Sequence, residues 1–151
     1  VKTKYFSIFN ADGSFDPYEL EGMYSQIKNN SLDLLLASRY KKNASSEDDT
    51  LITLIGNKIF TLLGKIFFSL PISDILYTYV MADTQKILNL NLQQKDFTLC
   101  VELPIKAKRK GLNIADIAAN EKSRIGGTKK VNALKDGFLI LIHLVKLFFK
   151  K

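Results

Sequence analysis

"KYFSIFNADGSFDPYEL", residues 4–20, and "LDLLLAS", residues 32–38, decide the fold class. The first stretch opens with aromatic and β-branched residues and stops abruptly at Asn10-Ala11-Asp12, as a short buried strand stops at a turn. Asp16 then suits an N-cap, Pro17 the first helical position, and Glu19 the far end of a capping box. A helix is therefore predicted to about Lys28, ending at Asn29-Asn30. Residues 32–38 are almost all apolar, which predicts a strand buried on both faces. Strand, helix and strand make a βαβ unit, so the expected fold is α/β, with a mostly parallel sheet flanked by helices.

Further along, "YKKNASSEDDT", residues 40–50, is polar and loop-like, and Ser46 with Asp49 forms a second capping pattern. A strongly apolar helix is predicted from about residue 50 to 69, stopped by Pro71. It is long enough to span a bilayer, but Lys58, Lys65 and Asn57 argue for a buried or membrane-apposed helix instead. Residues 71–88 begin as a loop or short strand carrying Asp74, and a short helix follows near 83–90. Residues 96–111 read as a turn into a helix that stops at Gly111, "LNIADIAA" as a strand, and residues 120–130 as a basic, glycine-containing loop. The last segment is a helix, with Val131, Leu134, Phe138, Leu141, Val145 and Phe148 at helical spacing.

The 151 residues suffice for one domain with a real core, and 46% hydrophobic with 25% charged residues is a globular composition. Cys100 is the only cysteine, so no internal disulfide forms. The net charge of +7 is unevenly spread: residues 1–100 carry 10 basic and 11 acidic side chains, residues 101–151 carry 12 and 4. That asymmetry points to an anionic partner such as phosphate or lipid headgroups. Nucleic acid is disfavoured, because residues 101–137 hold no aromatic side chain for base stacking.

Four features carry chemistry, and each has an ordinary structural competitor. Asn10-Ala11-Asp12-Gly13-Ser14 puts a carboxylate at the carboxyl end of a strand, where α/β sheets bind ligands and where a hard cation could neutralise a diphosphate; the competitor is a plain turn. Arg39, at the tip of the next strand, has a guanidinium suited to bidentate phosphate binding, or to a salt bridge. Asp74, between apolar residues, suits acid–base work or structural capping. Arg124-Ile-Gly-Gly-Thr128-Lys129 can wrap a phosphate, or be a solvated loop. Glu102, at a helix start, is as readily a cap, and His143, in an apolar helix, reads as interfacial rather than catalytic.

The order of these blocks carries more than any one of them. "NADGSFDP", "SRY", "ISD", "VELPIKAKRKG" and "RIGGTKK" follow one another over residues 4–137, and their sequence resembles family 2 glycosyltransferases, closest to the dolichyl- or polyprenyl-phosphate mannosyltransferase-like branch. The resemblance implies a partial GT-A fold (the nucleotide-diphospho-sugar transferase fold) with a C-terminal amphipathic helix. It implies a hexosyltransferase of inverting type that moves sugar from a nucleotide-sugar donor to a polyprenyl or dolichyl phosphate. A divalent metal, Mg or Mn, is the implied cofactor, with Asp12 as its main contact and Asn10 and Ser14 beside it. Asp74 matches the base position, and Arg39, Arg124 and Lys129 match residues near the donor and acceptor phosphates, with Thr128 in the usual serine position. Asn10 departs from the family's first aspartate and removes one charge.

The family's nucleotide-binding half precedes the aspartate motif, and only nine residues precede Asn10 here. Residues 1–130 are thus expected to be the C-terminal part of the catalytic domain, and the 151-residue chain alone to be inactive. Residues 131–151 are expected to lie as an amphipathic helix on the cytoplasmic face of a membrane, peripherally attached, with Phe138, Leu141, Val145 and Phe148 in lipid and Lys146 and Lys150 near headgroups. A core helix packed on the domain is the competing expectation. Two other functions stay open: a family 2 enzyme acting on a hydroxyl of a cell-surface glycan, which needs a base more strongly, and a non-catalytic basic module that binds membrane surfaces.

Overall fold

The computed structural model describes residues 2–126 and 132–150. The chain is mixed α/β. In order it forms β1 (Tyr5–Ile8), α1 (Glu19–Asn29), β2 (Leu34–Ser38), β3 (Ser45–Ser46), α2 (Leu51–Phe68), β4 (Val80–Asp83), α3 (Thr84–Leu88), α4 (Leu99–Arg109), β5 (Ile114–Ala118), β6 (Asn120–Glu121) and α5 (Ala133–Phe149).

The main sheet runs β1-β4-β2-β5. Within it β4 is antiparallel to both β1 and β2, while β2 and β5 pair in parallel; β3 and β6 form a separate parallel pair. The expected mostly parallel sheet is therefore corrected to a mixed one. β1 and β2 do point the same way, as the βαβ reading requires, but β4 is inserted between them. The unit is a split βαβ. The segment that supplies β4 is only four residues long, too short for alternation to reveal it.

β2 is buried at every position, as its uniform apolarity demands. Leu34 and Leu36 face a core built with α4 and α5, whereas Leu35 and Ala37 face a second core built with Met23 and Ile27 of α1. α5 belongs to the first core through Ile140, Leu144 and Leu147. Its carboxyl end is capped by Arg109, whose guanidinium donates to the carbonyls of Leu147 and Lys150.

The helix starts differ from the expected caps. α1 begins at Glu19, and Asp16 accepts from the Tyr18 N–H at 3.0 Å in the turn before it. Glu19 closes no capping box; its carboxylate accepts from the backbone of Asn120 at 2.8 Å. α2 is capped by Thr50 in a reciprocal box with Thr53, one residue beyond Asp49. It ends at Ser69, which takes the left-handed conformation before Pro71.

α2 is turned inside out relative to an ordinary amphipathic helix. Its buried residues are Asn57, Thr61 and Gly64. Asn57 donates to the Tyr40 hydroxyl, Thr61 accepts from the Ile75 N–H, and Gly64 lets Leu70 and Ile75 pack close: a Cβ there would lie 2.9 Å from the Ile75 side chain. Leu51, Ile52, Ile55, Ile59, Leu62 and Ile66 point outward, while Phe60, Leu63 and Phe68 pack against the first core.

Candidate functional site

The loop after β1 and the loop after β6 lie against each other. The Ile125 N–H donates to the Asp12 carbonyl at 2.8 Å, the Lys122 N–H to the Ser14 carbonyl at 2.9 Å, and Phe15 bridges Glu121. Gly13 sits at a φ of +86°, where a side chain would be strained and would strike Ile125. This docking brings Arg124 to Asp12, its guanidinium 3.7 Å from the carboxylate, while Asp48 takes a closer ion pair with Arg124 at 2.7 Å.

Above these loops opens a cleft of about 1370 Å³. One end is polar, lined by Asn10, Asp12, Arg39, Asp48, Asp49, Glu121 and Arg124. The other end runs between α2 and α5 and is lined by side chains such as Ile55, Ile59, Phe60, Phe138 and Leu141. Four of the residues singled out in the sequence, Asn10, Asp12, Arg39 and Arg124, thus meet in one place. They do so without the expected adjacency of β1 and β2, since β4 lies between those strands.

Asp12 is oriented by Ser14. Its Oδ1 accepts from the Ser14 N–H at 3.0 Å and the Ser14 hydroxyl at 2.7 Å. Those two hydrogen bonds from Ser14, together with the Arg124 guanidinium, hold the Asp12 carboxyl below the ordinary range against the small opposing effect of burial. Ser14 is itself buried and does not line the cleft, so it acts on Asp12 rather than on a ligand.

Arg39 is the hub of a buried network. Its Nε and Nη2 grip both oxygens of Asp74 at 2.8 and 3.1 Å, and its backbone N–H adds a third bond to the same carboxylate. Nη1 reaches Glu121 at 3.2 Å and Asp49 at 3.5 Å. The guanidinium lies over the rings of Tyr77 and Tyr40, 4.6 and 5.2 Å from their centroids. Asp49 also accepts from Tyr40 and Thr53, and Glu121 from Ser46.

Asp74, expected as a base, is buried behind Arg39 and is absent from the cleft lining. Burial pushes its carboxyl up, and the bonds from Arg39 pull it down. With both oxygens engaged by Arg39 and its side chain outside the cleft lining, the Asp74 carboxylate orients Arg39. Glu102 is likewise structural. Burial raises its carboxyl, but Lys106 and the N–H groups of Gln94 and Gln93 outweigh that and hold it low. Thr128 and Lys129 lie outside the described residues.

The cleft also contains groups that the sequence did not mark for chemistry: Asp48, Glu121, Tyr77 and Asp49, which was read only as part of a helix cap. Among the described residues, two buried polar atoms in its lining have no protein partner, Nε of Arg124 and the hydroxyl of Tyr77.

Asp12 and Asn10 offer one carboxylate and one amide oxygen, and no group of three metal-ligating side chains occurs among the described residues. That is not a preformed cage. It fits a Mg²⁺-type ion of the kind held by one or two carboxylates with substrate phosphates completing the shell. Four carboxylates line the polar end against two guanidiniums, so acids outnumber bases there.

No known protein-family model matches this chain, and no curated protein matches it.

Proposed function

We propose that this chain is part of a GT-A-type glycosyltransferase that transfers a sugar from a nucleotide-diphosphate sugar to a lipid phosphate. The observation that carries the proposal is the two-ended cleft, charged at Asp12, Arg39 and Arg124 and apolar between α2 and α5. Its shape and chemistry suit a ligand with an anionic head and a long hydrocarbon tail.

In this reading Asp12, with Asn10 beside it, would hold the divalent metal, which when bound neutralises the donor diphosphate and eases its departure. Ser14 keeps Asp12 ionised and aimed. Arg124 brings a guanidinium charge to the polar end of the cleft, where it would face a phosphate. Arg39, locked by Asp74, Asp49 and Glu121, supplies a fixed positive surface at the floor of the cleft. Positioning and electrostatics do the work, and no proton need be removed, because a phosphate acceptor is already ionised near neutral pH.

A hydroxyl acceptor on a surface glycan is the second reading. It needs a general base facing the substrate. The carboxylates at the polar end are engaged instead: Asp12 by Ser14, Asp48 by Arg124, Asp49 and Glu121 by Arg39. That pattern favours the phosphate acceptor. The test is a transfer assay on the full-length protein, with labelled nucleotide sugars and either a polyprenyl phosphate or the matching polyprenol. Label is expected in the phosphate lipid only. Transfer to the alcohol at a comparable rate would refute this reading.

A further inference from the structure

We propose that two glycines, Gly56 of α2 and Gly137 of α5, are specificity-determining residues: they set the width of the cleft's apolar end and so decide how bulky a tail it admits. Their role presupposes the hydrocarbon site of the proposed function and names the residues that shape it.

A glycine inside a helix weakens it relative to alanine, because the unfolded chain is freer and no side chain packs. A close neighbour, a left-handed backbone or a need for open space offsets that cost. Gly64 of α2 answers to the first, since a Cβ there would lie 2.9 Å from Ile75. Gly56 and Gly137 answer to neither of the first two. Neither has a positive φ. Beyond its own stretch of helix, a Cβ on Gly56 would meet no atom of the described residues within 4 Å. A Cβ on Gly137 would stop 3.9 Å from the Phe60 ring, an ordinary van der Waals contact. Both glycines line the cleft, so the missing side chains leave room in the cleft itself.

The two gaps fall in one stretch of the groove. Gly137 lies beside Phe60, and Gly56 is one turn before Phe60 on the same face of α2. On α5, Ala133 and Leu141 stand one turn to either side of Gly137, and both line the cleft. Each wall therefore carries a side-chain-free patch among larger apolar groups such as Ile52, Phe60 and Leu141. Apolar pockets discriminate by shape and volume. A straight alkyl chain does not need the added width, whereas a methyl-branched chain fills it.

The test is isothermal titration of the full chain and its variants with farnesyl phosphate, dodecyl phosphate and inorganic phosphate, alongside urea unfolding of the same proteins. Gly56→Leu places a good helix former in the gap. It is expected to keep or raise the unfolding midpoint. It should weaken farnesyl phosphate roughly tenfold or more, weaken dodecyl phosphate less, and leave inorganic phosphate unchanged. Gly56→Ala and Gly137→Ala are expected to raise the midpoint and to weaken farnesyl phosphate by a smaller factor. Gly22→Leu, on the exposed side of α1 and outside the cleft lining, is expected to alter the binding of no ligand. Lower midpoints in both alanine variants would show that the glycines serve packing and would overturn the proposal. So would a Gly56→Leu chain that binds farnesyl phosphate like wild type, or a wild-type chain that binds neither alkyl phosphate. Alkyl phosphate binding that responds to these variants without sugar transfer by the full-length protein would uphold the proposal and sink the transferase reading alone.

Discussion

Replacing Arg39 with Leu is expected to destabilise the protein by about 3–5 kcal/mol, the cost of leaving a buried charge without its partner. Asp74 is almost fully buried, and among the described residues the contacts that neutralise it come from Arg39. Loss of the guanidinium also frees Glu121 and Asp49, which converge on the same Nη1 and would repel each other. Leu cannot stack as a cation on Tyr77 and Tyr40. Arg39→Lys is expected to recover little, since one ammonium cannot span both oxygens of Asp74 and reach Glu121 as well. Urea unfolding followed by circular dichroism measures the effect. A loss below about 1 kcal/mol for Arg39→Leu, the range of an exposed pair, would show that this network is not what it looks like.

The largest expected effect on chemistry is at Asp12. Asp12→Ala removes the carboxylate of the β1 loop that faces the cleft, the group that would hold the metal in the proposed function. Transfer is expected to fall by roughly 10²- to 10³-fold, the scale seen when one preorganised electrostatic contact is deleted. Ser14→Ala should cost much less, because the Ser14 N–H still holds Oδ1. A second readout separates metal from fold: Mn²⁺ binding in the presence of a nucleoside diphosphate, followed by electron paramagnetic resonance, should weaken in Asp12→Ala while the unfolding midpoint stays near wild type. Unchanged Mn²⁺ binding would remove Asp12 from the metal site.

Much of this arrangement could be read from the chain, and the failures share a physical cause. β1, α1, β2, α2, α4, β5 and α5 follow from local patterns, and the two-faced burial of β2 followed from its unbroken apolarity. β4 could not be placed between β1 and β2, because strand order is settled by tertiary pairing and its four residues carry no periodic signal. α2 was legible as a helix but not as an inverted one. Asn57 and Thr61 turn inward to meet the Tyr40 hydroxyl and the Ile75 N–H, and those partners lie 17 and 14 residues away.

The site divides the same way. Asp12, Arg39 and Arg124 stood out because each sits at a strand end or in a glycine loop. Asp49 and Glu121 did not, since only folding brings them to Arg39, from 10 and 82 residues away. Asp74 was the misleading case. A lone aspartate among apolar residues suggests a tuned acid or base, yet a partner 35 residues distant turns it into the clamp on Arg39.

The central claim is that one cleft takes an anionic head at Arg124 and Asp12 and a hydrocarbon tail between α2 and α5. Isothermal titration of the protein with farnesyl phosphate, farnesol and inorganic phosphate tests it most directly. The account predicts that farnesyl phosphate binds at least about tenfold more tightly than either fragment alone, because only it satisfies both ends of the cleft at once. Equal binding of farnesyl phosphate and farnesol, or no binding of either, would contradict it.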